Sequence, residues 1–131
     1  MSNWELSYTL STAPANSGTL YIIDSTTLSG NVQASAAAPG PVRAHWQGKI
    51  LVTGTIAVGD QDVTLYLDML KGVAGTSADW ETEVGGTVTL TANTVYPLQW
   101  RPRGVDFRAR IVAGATAPNT LVTKLQIVEE R

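Results

Sequence analysis

Apolar and polar residues alternate along most of this chain. Trp4, Leu6, Tyr8 and Leu10 take turns with Glu5, Ser7 and Thr9. That is the period of a half-buried strand, and no stretch sustains the 3.6-residue period of an amphipathic helix. Pro14, Asn16 and Gly18 then mark a turn. Leu20-Tyr21-Ile22-Ile23 forms a short apolar strand within 19–24. Further on, Ile50, Val52, Gly54 and Ile56 share one face of a strand, and Val63, Leu65, Leu67 and Met69 share one face of the next. A Gly59-Asp60 turn between them predicts a hairpin that pairs Ile56 with Val63, Val52 with Leu67 and Ile50 with Met69. The outer face then carries Thr53, Thr55, Thr64, Tyr66 and Asp68. A four-residue loop, Gly59 to Asp62, would shift the register by two and keep the same faces together.

Gly85-Gly86 predicts a second hairpin. A three-residue loop, Val84-Gly85-Gly86, pairs Trp80 with Leu90 and Thr82 with Val88, with Gly86 in the left-handed position of a bulged turn. Trp80 then faces the core, and Glu81 and Glu83 face solvent. Strands are also expected over 95–101, over 106–113 with Phe107, Ala109 and Ile111 inward, and over 120–128 with Leu121, Leu125 and Ile127 inward. About eight short strands without a substantial helix predict an all-β fold, an antiparallel β-sandwich or jelly roll. The chain of 131 residues is the size of a single domain over 1–131.

One segment breaks the pattern. Ser25 to Pro41 is rich in Ser, Ala and Thr, holds Gly30, Pro39, Gly40 and Pro41, and carries no charge. It exceeds the roughly 12–15 residues usual for a loop in a compact domain. It is expected to be a long neutral loop or arm, mobile in the isolated subunit and ordered at a contact.

Composition removes whole classes of chemistry. The chain has no cysteine, which excludes disulfides, thiolate metal sites and thiol nucleophiles. His45 is the single histidine, so a two-histidine metal site is excluded. No Gly-x-Ser-x-Gly elbow, phosphate loop or dinucleotide fingerprint is present. Neither a catalytic residue, a metal ligand nor a cofactor is expected, and the chain is read as a non-enzyme. The net charge of −2 gives no reason to expect a nucleic-acid partner. No apolar run approaches the roughly 20 residues of a membrane span, so no membrane partner is expected, and the first residues lack the pattern of a signal peptide.

The remaining polar clusters have modest readings. Asp60-Gln61-Asp62 lacks the glutamate that a calcium loop needs at its twelfth position, where Lys71 stands, and reads as a polar turn. Asp79, Glu81 and Glu83 share a face at a spacing of two and read as a solvated acidic face. Arg101, Arg103, Arg108 and Arg110, with Asp106 among them, concentrate positive charge in an otherwise acidic chain. Guanidinium pairs grip carboxylates or phosphates bidentately. Two readings stay open for them: a surface paired within the subunit, with Asp79, Glu81, Glu83, Glu129 and Glu130 as available acids, or an interface with an acidic partner. Four tryptophans against one phenylalanine favour core or subunit contacts. The candidate interface residues are therefore Arg101, Arg103, Arg108, Arg110, Trp4 and Trp100.

The opening Met1-Ser2-Asn3-Trp4, the Thr/Ala/Gly-rich strands, the neutral Ala/Pro loop and the run Val105-Asp106-Phe107-Arg108-Ala109-Arg110-Ile111-Val112-Ala113-Gly114-Ala115 resemble small accessory proteins of tailed-bacteriophage virions. The resemblance lies in texture over most of the chain, and it carries no residue role across. It implies a decoration (cement) protein on the capsid surface of the virion, made in the host cytoplasm. Such a protein forms a homo-oligomer, a trimer rather than a dimer, and bridges subunits of the major capsid protein. Two other readings accompany it: a carbohydrate-binding β-sandwich module with a glycan partner, and a structural protein of a phage neck or tail.

Overall fold

The computed structural model describes residues 5–24, 49–70, 80–102 and 107–130. Trp4, the 25–41 arm, His45, Asp79 and Arg103 lie outside them. The described residues contain eight strands and no helix: β1 (Glu5–Leu10), β2 (Thr19–Asp24), β3 (Lys49–Val58), β4 (Val63–Leu70), β5 (Trp80–Leu90), β6 (Val95–Trp100), β7 (Phe107–Ala113) and β8 (Leu121–Glu130). They form two antiparallel sheets, ordered β1-β8-β3-β6 and β2-β7-β4-β5. The pairs β1·β8, β2·β7, β3·β6 and β4·β5 are nested one inside the next. The chain is thus a long hairpin folded back on itself and rolled until its two layers face each other, which is the jelly-roll arrangement.

The alternation read from the sequence sets the core. Val52, Ile56, Leu121, Leu125 and Ile127 point inward from the first sheet, and Val63, Leu65, Phe107, Ala109 and Ile111 from the second. All are buried, and each large apolar side chain so placed contributes about 1.5–3 kcal/mol. The predicted β3–β4 hairpin does not form. β3 bonds to β6 and β8, whereas β4 bonds to β5 and β7. Residues 59–62 cross from one sheet to the other, so Val52 and Leu65 face each other across the core and share no ladder. Thr53 and Thr55 consequently lie on one outer face, and Thr64, Tyr66 and Asp68 on the opposite one.

The hairpin at Gly85-Gly86 is also absent. β5 continues through it along β4, pairing Asp68 with Thr82 on one side and Tyr66 with Thr87 on the other. The four residues 83–86 oppose Leu67 alone, a bulge larger than the usual two residues against one. The left-handed residue is Gly85, at φ +78°, and not Gly86. Gly86 is buried against the Leu67 carbonyl, where an added Cβ would come within 2.9 Å of the oxygen. Glycines supply what the bulge requires, a positive φ and a close backbone approach, and a sequence reading cannot tell these from the needs of a turn.

Connections 11–18, 59–62, 91–94 and 114–120 all cross between the sheets at one end of the roll, where they are tied together. Ser17 N–H donates to the Gly114 carbonyl at 2.7 Å, Gly59 N–H to Thr120 at 2.9 Å and Asn93 N–H to Gly59 at 2.7 Å. Asp60 accepts from Asn119 N–H at 2.8 Å and Asp62 from Ala92 N–H at 2.7 Å. The Asp60-Gln61-Asp62 cluster therefore braces loops. Each lateral side of the sandwich has a tie as well. On the β1/β2 side the buried Tyr8 hydroxyl donates to the Ile22 carbonyl of the other sheet, and burial pushes its pKa above the usual tyrosine range. On the β5/β6 side Trp100 Nε1–H donates to Glu83 at 2.7 Å.

One inward residue disturbs the apolar core. Thr123 is fully buried in β8, opposite Leu10 and Ile56, and its Oγ1 has no hydrogen-bond partner among the described residues. Thr123→Val keeps the shape and removes the unsatisfied hydroxyl, so a gain of about 1 kcal/mol is expected. A urea midpoint that rises with unchanged slope would register it, and a fall would show that the hydroxyl is satisfied.

Candidate functional site

The densest polar cluster lies on the outer face of the β2-β7-β4-β5 sheet. Period-two alternation in β7 buries Phe107, Ala109 and Ile111 and turns Arg108 and Arg110 outward. Register sets Asp68 of β4 beside Arg108 and Tyr66 beside Arg110. On the other flank β2 sets Asp24 beside Arg108 and Tyr21 beside Arg110. Thr82 and Trp80 of β5 complete the face.

Asp68 is the hub. Arg108 Nε and Arg110 Nε each donate to its Oδ2 at 2.8 Å, and Thr82 Oγ1 donates to Oδ1 at 2.7 Å. The carboxylate is 1% exposed, although it stands on the solvent side of the sheet, because the two arginines fold over it with 15% and 26% of their side chains exposed. Aromatic rings hold the guanidiniums in place. The Arg108 Cζ lies 4.3 Å from the centre of Trp80 and 5.3 Å from Tyr21, and the Arg110 Cζ lies 4.2 Å from Tyr66. Burial alone would raise the Asp68 pKa. Hydrogen bonds from Arg108, Thr82 and Arg110, with the Arg110 charge, outweigh it and hold the group below its ordinary value.

Several expectations change here. Arg108 and Arg110 are paired within the subunit through Asp68, which is not among the five acids named from the sequence. Trp80 faces outward as a guanidinium platform and does not enter the core. Glu83 is half-buried and accepts the Trp100 bond, so of the acidic pair only Glu81 stays exposed. Trp100 is itself a core side chain, 6% exposed and edge-on to Phe107 at 5.4 Å between ring centres. Arg101 is exposed just past the end of β6, on the other sheet. Of the four candidate residues that are described, Arg108 and Arg110 are brought together on one face; Trp4 and Arg103 fall outside the described residues. Asp68 was discoverable: an acid inside the run Val63-Thr64-Leu65-Tyr66-Leu67-Asp68-Met69-Leu70 is disfavoured in a strand unless it is paired.

The opposite outer face holds a shallow groove of about 420 Å³, lined by Ser7, Thr9, Thr53, Lys124 and Gln126 above Gly54. It offers hydroxyls, an amide and an ammonium. Tyr8 also lines it, but with its ring buried in the core. The groove therefore lacks the stacking ring that a sugar site would use. Among the described residues, no group of three His, Cys, Asp or Glu side chains is placed to hold a metal.

No family model matches the chain, and no curated protein does. Among solved structures, the chain is similar to a protein of Bacillus endospore appendages, described as a novel family of disulfide-linked pili. The two share 15% identity at a TM-score of 0.57, over 98% of this chain and 88% of the other. The chain is also similar, at 11% identity and a TM-score of 0.46, to the crystal structure of PirA, over 100% and 96% of the two chains. At these identities the likeness to the pilus protein is one of fold.

Proposed function

We propose that the chain is a non-enzymatic structural subunit of a larger protein assembly and, more specifically, a decoration protein that stabilises a tailed-bacteriophage capsid by bridging neighbouring capsid subunits. The observation that carries the reading is the jelly roll itself. Its loops are tied together at one end, its lateral sides are tied by Tyr8 and Glu83, and its ionic cluster is used to brace a sheet face. Such a frame supports a rigid building block. The fold-level likeness to an appendage protein agrees with assembly as its role. That protein is described as disulfide-linked, whereas this chain has no cysteine, so disulfides cannot make its contacts. The texture of the sequence favours a virion over a fibre, and a trimer over a dimer.

Cryo-electron microscopy with immunogold labelling of a lysate from the producing cells tests the reading. Label and matching density at fixed positions on phage heads are expected. Label on necks or tails, or along filaments, would replace the capsid role with another structural one. Protein found only free in solution, with sedimentation giving a monomer up to millimolar concentration, would remove the assembly role altogether.

A further inference from the structure

We infer that Arg108 and Arg110 together form a receptor for a carboxylate side chain on a different polypeptide. The inference rests on the assembly reading for the source of that carboxylate. A guanidinium has five N–H donors. In both arginines the Nε donor is engaged by Asp68, and among the described residues the Nη atoms carry no hydrogen bond. Each guanidinium is pinned at one edge by a shared oxygen and stacked against a ring, Trp80 for Arg108 and Tyr66 for Arg110. Its other edge is therefore presented in a set orientation. Little side-chain freedom remains to be lost when an oxyanion binds there, which is the condition under which a bidentate contact is strong.

Charge selects the class of anion. Asp68 offsets one of the two arginines, and Asp24, in register with Arg108, stands beside the pair. These four groups sum to zero. A phosphate dianion or a nucleic-acid backbone needs a net positive field, which these four groups do not supply. A single carboxylate needs only hydrogen-bond geometry and partial desolvation. The rings of Tyr21, Tyr66 and Trp80 flank the arginines with apolar surface for the residues on either side of that carboxylate, and Tyr, Trp and Arg are the types that dominate interface energetics.

Among the described residues, this chain supplies no unengaged carboxylate for that place. On this chain the described side-chain acids already have partners: Asp60 and Asp62 hold loop amides, Asp68 and Glu83 hold Arg108, Arg110 and Trp100, and Asp24 and Glu81 have interactions of their own. A second copy offers no unengaged acid among these residues.

The test is a titration of the whole protein followed through the arginine Nε signals by NMR. The probe is the peptide acetyl-Gly-Glu-Gly-amide, with its Gln counterpart and inorganic phosphate as controls. Saturable shifts of two arginine signals are expected with the Glu peptide in the millimolar range, and none with the Gln peptide. Arg108→Lys with Arg110→Lys keeps both charges beside Asp68 but lacks the planar fork. It should retain the fold and weaken the peptide by at least about tenfold. Absence of saturation, equal response to the Gln peptide, tighter binding of phosphate, or undiminished binding by the folded lysine variant would each overturn the inference. The outcome is independent of the lysate imaging. A failed titration with label on capsids removes the receptor alone, and saturation without any assembly removes the structural role alone.

Discussion

Leu65→Ala is expected to lower stability by about 2–5 kcal/mol, a large part of the 5–15 kcal/mol typical of a domain. Leu65 is fully buried at the middle of β4, in register with Val88 on one side and Ile111 on the other. Truncation removes the apolar contact and leaves a cavity between two sheets whose spacing is held by Tyr8 and Glu83 at both sides, so collapse to fill it is restricted. Chemical denaturation would show the midpoint fall with little change in slope. A midpoint equal to that of the parent would mean that β4 turns its other face to the core, and the placement of Asp68 would fail with it.

Asp68→Ala is expected to cost about 3 kcal/mol, because it strips the shared acceptor from two half-buried guanidiniums two residues apart on one strand. Asp68→Asn should cost less, since an amide oxygen can still accept, and it should also change the response to acid. The folded state holds Asp68 more acidic than its ordinary value of 3.8. Its ionisation therefore stabilises the fold above that value, and the contribution is lost as the pH falls through the lower folded value. Melting temperatures of the parent should drop on acidification below about pH 4, and the Asn variant should drop less steeply over the same range. Parallel curves for the two proteins would show that Asp68 gains nothing from its arginines.

The strands and their inward faces were legible because alternation is a local property. Tyr8, Leu10, Val52, Ile56, Leu65, Ile111 and Leu125 are buried where the period of two places them. The outward direction of Arg108, Arg110 and Asp68 followed from the same period. Their union did not, since Asp68 lies 40 and 42 residues away from its two arginines. A misplaced β4 hid it further, because its neighbours in the fold are β5 and β7 and not β3. The buried Thr123 passed unnoticed for a related reason. Its position has the parity of Leu121 and Leu125, and a threonine at such a site can face either way until packing selects one.

The amino-acid order alone determined that this chain is all-β, which face of most strands forms the core, and that disulfides and a two-histidine metal site are impossible within it. Which strand lies beside which was decided only in the folded chain. A strand satisfies its backbone amides equally well with any neighbour, so a short Gly-Asp connection fits a hairpin and a crossing between sheets alike. The choice depends on burying all the apolar faces at once, and two four-stranded layers closed over one core achieve that where a run of local hairpins cannot. The same global condition turned Gly85-Gly86 into a bulge, drew Glu83 to Trp100, and set Asp68 between Arg108 and Arg110.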